Sequence, residues 1–495
     1  MFDLFEKETK PKTLRPHQTR ALEMLRQSFL GKGIRRTVVA MPTGAGKTVT
    51  AAKIIEGARL KGNRAIFTAP AVSLIDQTVE AFEAEGIRNI GVMQANHPRT
   101  DELAQVQVAS VQTLAKRGIP EAALVIVDEC HIRSQVIEDL MDERPDVFFV
   151  GLSATPWAKG MGLRWNDLVI PVTIAGLIEQ GFLSRFTAYA PDVPDLSGVK
   201  VKAGEYAEAG LQDVMGDAKL IGSVVNTWLE RGENRPTLCF GVNRAHAGEL
   251  AAQFEAQGIA TAYVDAHTDR IEREVINRRF RDGEIRVICS VRTMTTGVDL
   301  PVSCIIDAAP TKSEMLHVQK IGRGLRVNPG TEDCIILDHA GNSLRLGLVT
   351  DISHTRLDTT RPGEKQERKP SAENLPKPCT KCETLHTGKT CPACGHERKP
   401  VPGFDTADGE LVEITPKKAA ATMAQKQRFW SMALWLDAQR GKGGKLAKGL
   451  YKGRFDVWPR GLEDTPTEPD MAFMSYEKSS RIRFAKRMEK KRGAA

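Results

Sequence analysis

Residues 42–48 read Pro42-Thr43-Gly44-Ala45-Gly46-Lys47-Thr48, a spacing suited to holding an anion. The two glycines let the backbone curl until several N–H groups face one point. Lys47 adds a positive charge, and the Thr48 hydroxyl can hold a divalent cation. The apolar run at 37–41 predicts a strand. The stretch 49–60 predicts a helix whose positive end points at the same anion. The loop therefore predicts a nucleotide's phosphates. The strict pattern places a glycine six residues before the lysine, and Met41 stands there instead.

A second constellation ends another apolar run, 124–127, with Asp128-Glu129-Cys130-His131. In parallel sheets ligands gather at the carboxyl ends of strands. Beside a phosphate loop, Asp128 would share Mg²⁺ with Thr48, and Glu129 would orient or deprotonate the attacking water. A third is Cys379, Cys382, Cys391 and Cys394, two Cys-x₂-Cys pairs that can close a tetrahedron on Zn²⁺. Gly395 permits the tight turn behind its sulfur. The segment is too short to own a hydrophobic core, so a metal would have to hold it. His386 and His396 read as bystanders, and the other five cysteines as core residues.

The elements that must position these groups follow from periodicity. Apolar runs at 37–41, 65–69, 105–109, 124–127 and 147–152 alternate with helical stretches. A second series runs 237–241, 261–264, 286–291, 304–308 and 334–338, without a phosphate loop of its own. Alternation of this kind predicts two α/β units, each a doubly wound parallel sheet. The expected divisions are a first domain at 1–190, a connector with little core at 191–216 and a second domain at 217–358. A linker at 359–378, the cysteine element at 379–396, a second linker at 397–418 and a mainly helical tail at 419–495 follow. Within the tail, 419–440 has helical periodicity, Gly441 is a stop, a flexible Gly-Lys-Gly-Gly-Lys follows, and a basic helix spans 475–491. Trp430, Trp435, Tyr451, Phe455 and Trp458 lie among lysines there. They either stack bases or pack a small helical core.

The chain has 495 residues, 41% hydrophobic and 27% charged, as expected of soluble globular domains. It has no apolar run long enough to cross a membrane, and its charged start does not read as a signal peptide, so the expected compartment is the cytoplasm. Of the net charge of +8, residues 441–495 carry nearly all, with 14 Lys/Arg against 7 Asp/Glu. A basic tail points to a polyanion, nucleic acid first.

With these residues in place, the chain resembles the superfamily 2 helicases and translocases. Asp128-Glu129-Cys130-His131 matches their acidic (DECH) box. Leu14-Arg15-Pro16-His17-Gln18 looks like the adenine-reading motif, which implies Arg15 and Gln18 at the base. Thr68-Ala69-Pro70 through Gln77, and Ser110-Val111-Gln112-Thr113, resemble the loops that grip the nucleic-acid backbone. Ser153-Ala154-Thr155 matches the coupling motif. Thr295-Thr296-Gly297-Val298-Asp299 and Gln319-Lys320-Ile321-Gly322-Arg323-Gly324-Leu325-Arg326 match two motifs of the second motor domain. The resemblance spans residues 12–345. It implies two RecA-like domains with ATP and Mg²⁺ between them, and Arg323 and Arg326 stabilising charge on the γ-phosphate. It further implies Gln319, His131, Ser153 and Thr155 as couplers, Gly297 and Asp299 near the nucleotide, and Thr295 and Thr296 on nucleic acid. A narrower resemblance is to the RadD-like group of bacterial DNA-repair ATPases and related phage helicases.

The resulting expectation is an ATP-dependent motor on single-stranded, forked or duplex DNA, ahead of RNA. It would act in repair, recombination or phage replication in a bacterial cytoplasm, with a single-strand-binding or nuclease protein as a possible companion. The alternative is a translocase that never separates strands, or the motor subunit of a restriction or nuclease complex. A binding module with a dead ATP site is the third class, and Lys47, Glu129 and Arg326 together oppose it.

Overall fold

The computed structural model of the chain describes residues 13–190, 194–202, 204–291, 294, 300–328, 333–361, 364, 375–397, 423–455, 457–470 and a few positions up to 481. Most of the expected basic helix at 475–491 and of both linkers lies outside these residues. Two compact units divide the chain, Met1–Val401 and Pro402–Ala495.

The first unit holds two parallel sheets. Strands β1 (Arg36–Ala40), β2 (Ala65–Ala69), β3 (Ile90–Met93), β4 (Val106–Ser110), β5 (Leu124–Asp128), β6 (Phe148–Ser153) and β7 (Asp167–Val169) pair in the order β3-β4-β2-β5-β6-β1-β7. The second sheet takes β8 (Arg185–Tyr189), while β9 (Val201–Lys202) and β10 (Glu205–Tyr206) form a small hairpin. With β11 (Thr237–Phe240), β12 (Thr261–Val264), β13 (Val287–Ser290), β14 (Cys304–Asp307) and β15 (Asp333–Asp338), the second order is β12-β13-β11-β14-β15-β8. Central strands such as β2 and β4 are buried at every position. That is why they read as continuous apolar runs, and helices cover both faces.

The expected first division is corrected by β8. Its five residues fall inside 1–190 yet pair in parallel with β15 of the second sheet. The expected connector also has a core. Leu211 and Met215 of the helix Glu208–Met215 are buried against Val224 and Trp228 of the helix Ala218–Arg231. Their helical spacing was hidden by the surrounding Gly and Asp. At its other end the second domain returns to the first. The Asp358 carbonyl accepts from Gly162 N at 2.7 Å, and its carboxylate accepts from Gly160 N at 3.0 Å. The His354 ring lies 4.7 Å from Trp157. A Cβ at Gly162 would stand 2.8 Å from the Thr359 methyl, so the crossing requires glycine there.

The cysteine element is a two-stranded hairpin of β16 (Lys377–Pro378) and β17 (Leu385–His386). Leu385 is buried in the core of the first unit, and Glu383 pairs with Arg231 at 2.5 Å, so the element is seated on the second domain.

In the second unit, the helices Met423–Gln439 and Lys445–Phe455 pack through Phe429, Trp430 and Leu436 against Leu450 and Tyr451. Trp430 donates its indole N–H to Asp464 at 2.8 Å. The packing reading therefore holds for Trp430 and Tyr451, with Trp435 and Phe455 half-buried beside them, whereas Trp458 is exposed. Among the described residues no helix is long and apolar enough to cross a membrane.

Candidate nucleotide-binding cleft and cysteine knuckle

The loop after β1 turns through Gly44 (φ 85°) and Gly46 (φ 83°), both left-handed, and enters the helix Lys47–Arg59 directly. Met41 is fully buried, and its N–H bonds to the Ser153 carbonyl of β6. A side chain is thus accommodated in the core where the strict pattern has glycine. A Cβ at Gly46 would collide with the Gln18 amide at 2.3 Å, and one at Gly44 with Leu183 at 2.9 Å. The upstream segment therefore packs onto the loop. The His17 ring bonds the Ala45 carbonyl at 2.9 Å, and Gln18 donates to the same oxygen at 3.3 Å while accepting from Arg15 N at 2.8 Å. Arg15 lies over the Phe182 ring at 4.6 Å.

His17 and Gln18 are buried behind the loop, while the loop itself, Arg15 and Phe182 border a cleft of about 830 Å³. Its walls carry Pro42, Thr43, Gly44, Lys47, Thr48, Asp128 and Glu129 from the first domain and Arg323, Arg326 and Asn328 from the second. Neither domain supplies both the phosphate-loop cation and the facing arginines. Lys47 Nζ is 3.6 Å from Glu129 Oε1. Burial, reinforced by the Glu129 charge and opposed by Lys47, pushes the Asp128 carboxyl up to about 6. A divalent cation there would reverse that rise, and Asp128 and Thr48 are the oxygen donors that fit one. Glu129 adopts φ 46°, rare for a non-glycine residue, a strained setting typical of functional positions.

From the acidic end of β5 a polar chain crosses to the second domain. His131 Nδ1 is 2.9 Å from Ser153 Oγ, which also accepts from Thr155 N at 3.1 Å. Gln319 reaches across to Thr155 Oγ1 at 3.1 Å and His131 Nε2 at 3.4 Å. Burial lowers the His131 pKa, so the neutral ring can accept from Gln319.

The helix Glu314–Ile321 that carries Gln319 is fixed by a buried ion pair. Lys320 Nζ bonds Asp307 at the end of β14 and the Ala309 carbonyl, and Asn342 donates to the same Asp307 at 2.8 Å. Lys320 holds the Asp307 carboxyl well below the usual range against strong desolvation. Lys320→Met leaves that carboxylate buried without its cation. We expect a loss of about 3–5 kcal/mol from the second domain, read as a lowered urea or thermal midpoint.

The expected nucleic-acid contacts fare differently. Pro70 and Gln77 border the same cleft. Ser110 is fully buried and caps the helix Val111–Arg117, accepting from Thr113 N at 3.2 Å and donating to Thr113 Oγ1 at 2.8 Å. This corrects Ser110 as a backbone contact, because its hydroxyl is committed to the helix end. Gln112 remains exposed. Thr295, Thr296, Gly297 and Asp299 lie outside the described residues. Phe182 and Asn328 line the cleft and were missed in the sequence. Phe182 follows Gly181 in an irregular segment, with no spacing to mark it.

In the knuckle, Cys379 Sγ is 3.7 Å from Cys394 Sγ, and Cys382 Sγ is 3.6 Å from Cys391 Sγ. All four ligand atoms lie within 4.8 Å of one another. These separations are far too long for disulfides. They match the roughly 3.8 Å edge of a sulfur tetrahedron with 2.3 Å metal bonds. Turns at Glu383 (φ 64°) and Gly395 (φ 68°) sit behind the two pairs. The Lys381 N–H lowers the Cys379 pKa, and the Thr384 hydroxyl draws Cys382 down to about 6. Against the lowering pull of the His396 N–H, the neighbouring sulfurs push Cys394 the other way, up to about 12, as expected of thiols crowded together. Four sulfurs this close are the donor set of a soft, borderline cation such as Zn²⁺.

Two nucleotide-binding-type sheets facing one cleft define a two-domain motor ATPase. The comparisons with known proteins agree. The family described as type III restriction enzyme, res subunit, matches residues 11–158, and the helicase conserved C-terminal domain matches 219–328. The chain belongs to the ATP-dependent helicases of superfamily 2. It is 26% identical to a 51.5 kDa protein of a Lactococcus phage (isolate 7-9), over 84% of this chain and 91% of that one. It is 29% identical to IRC3 of Saccharomyces cerevisiae, provisionally named an ATP-dependent helicase, over 68% of this chain and 52% of the relative. The chain thus spans nearly the whole phage protein but about half of the yeast one. In fold it resembles the ATP-dependent type ISP restriction-modification enzyme LlaBIII, solved bound to DNA, with TM-score 0.50 and 18% identity over 66% of this chain and 28% of that chain.

Proposed function

We propose that the chain hydrolyses Mg-ATP in the cleft between its two domains to move along, and unwind, DNA. The observation that carries this reading is Gln319 of the second domain bonded to Thr155 and His131 of the first. A change at the γ-phosphate, felt by Glu129 and the facing arginines, passes through that contact to whatever the two domains hold. Lys47 and Thr48 would bind the phosphates and Mg²⁺, Asp128 would complete the metal site, and Glu129 would act on water. Arg15, Gln18 and Phe182 would receive the base. Gln77 and Gln112 would contact a strand, and the four cysteines would hold Zn²⁺ as a structural ion. DNA is favoured over RNA by the DNA-bound restriction enzyme of similar fold and by the restriction-enzyme family match. The same match favours a second reading, a duplex translocase within a restriction or nuclease assembly.

The test is strand displacement from forked DNA, tailed DNA and RNA duplexes with ATP, alongside displacement of a triplex strand. Unwinding is expected on forked or tailed DNA. Triplex displacement without unwinding would select the translocase, and neither, with ATP consumed, would contradict movement on DNA.

A further inference from the structure

The helix Lys445–Phe455 in the second unit has two unlike faces. Ala447, Leu450 and Tyr451 are buried against the helix Met423–Gln439. On the other face Lys445, Lys448 and Gly449 are exposed, with Lys452 one turn further on, neighbours at helical spacing. Four acids of this unit are engaged elsewhere. Asp437 accepts from Gly444 N and Ala447 N, Asp464 from Trp430, Asp470 from Arg428 and Glu477 from Arg440. Among the described residues Lys442, Lys445 and Lys448 have no ion-pair partner. Lys445 and Lys448 therefore present positive charge on one face with no ion-pair partner among the described residues.

Gly449 adds a second observation. A Cβ built there would meet nothing within 4 Å, so the fold leaves room for alanine, which favours a helix where glycine disfavours it. Packing does not require this glycine. Its effect is to leave bare helix backbone open between the lysines, where another chain can approach closely. A third lies at the edge of the same face. Trp458 is 57% exposed, and Lys452 Nζ stands 5.9 Å from its ring. An exposed tryptophan beside lysines is the pairing that stacks a base or sugar while neighbouring charges hold phosphates.

We propose that Lys445, Lys448 and Lys452, flanking the bare backbone at Gly449, seat the sugar–phosphate backbone of a DNA strand, with Trp458 against the nucleotide beside it. The row runs roughly 10 Å along the helix at 1.5 Å per residue, about three nucleotide steps of 3.4 Å. This surface rests on the reading of the chain as a DNA motor, but it belongs to the second unit and takes no part in ATP chemistry. It gives the motor a hold on DNA that persists whatever nucleotide occupies the cleft.

The experiment measures binding of the full-length chain to labelled single-stranded and duplex DNA, without nucleotide, across a salt series. Gly449→Gln should keep or raise helicity by circular dichroism while weakening DNA binding about tenfold. The triple change Lys445→Gln, Lys448→Gln, Lys452→Gln should weaken binding and reduce the salt slope by about 2–3, near 0.7–0.9 per lost phosphate contact. A loss confined to one DNA form identifies the strand this face holds. Wild-type affinity and slope in both variants, with wild-type chain binding normally, would overturn the surface alone. A wild-type chain that binds neither DNA would overturn the motor reading with it.

Discussion

Arg326→Ala should slow ATP hydrolysis by about 10³–10⁵, the range associated with an arginine delivered to the γ-phosphate, while ATP binding changes little. Arg326 and Arg323 come from the segment following the helix Glu314–Ile321 and line the cleft opposite Lys47, Asp128 and Glu129. With ATP in the cleft their charges would face the γ-phosphate, where negative charge grows in the transition state, so their loss should fall on kcat more than on KM. Arg326 is held by its backbone as well. Its carbonyl accepts from the Ser184 hydroxyl at 3.2 Å, and residues 183 and 326 form a β-bridge. Alanine should therefore leave the segment in place. Glu129→Gln is the companion change, with an expected loss of about 10²–10⁴ from removing a general base. Single-turnover hydrolysis and titration with a fluorescent ATP analogue separate the two steps. Hydrolysis that survives both changes would move the chemistry elsewhere.

The second large effect concerns metal. Zinc sites of this kind contribute about 10–16 kcal/mol of apparent binding free energy at neutral pH, and in small elements that energy is folding energy. The hairpin of β16 and β17 has two residues in each strand and one buried leucine reaching another core. Its own packing cannot offset the entropy of ordering it. Chelation, or Cys391→Ser, should therefore unfold residues 379–396, read as loss of one bound zinc per chain and of amide protection there. Because Leu385 and the Glu383–Arg231 pair tie the hairpin to the second domain, its thermal midpoint should fall slightly with the metal. ATPase activity should persist, since no knuckle residue borders the cleft. Loss of ATPase in step with the zinc would show that the knuckle holds the motor together.

Most of this was legible in the sequence because the chemistry lies at the ends of strongly apolar strands. β2 and β12 fall where the periodicity puts them, Lys47, Asp128, Glu129 and Arg326 line one cleft, and Gln319 reaches Thr155 and His131 beside it. What was hidden lacked a local signal. β8 is an edge strand with charged and half-buried positions, and only its pairing with β15 reveals which domain owns it. The core role of Leu211 and Met215 depends on partners further along the chain. Ser110 read as a nucleic-acid contact because Ser and Thr hydroxyls look alike in a motif whether they face a ligand or cap a helix. The tail helix Lys445–Phe455, which follows the Gly-Lys-Gly-Gly-Lys run expected to be flexible, was not delimited in the sequence because glycine and lysine mask its apolar spacing.

The central claim is that ATP hydrolysis and nucleic-acid binding are coupled through the contact between the domains. Steady-state ATPase of the full chain, with and without saturating DNA, tests it most directly when wild type is set beside Gln319→Ala. Wild type should be stimulated at least about fivefold, the lower end of typical coupling between sites, and the variant should fall toward no stimulation while still binding ATP. Equal rates with and without DNA in wild type, or full stimulation in the variant, would contradict it.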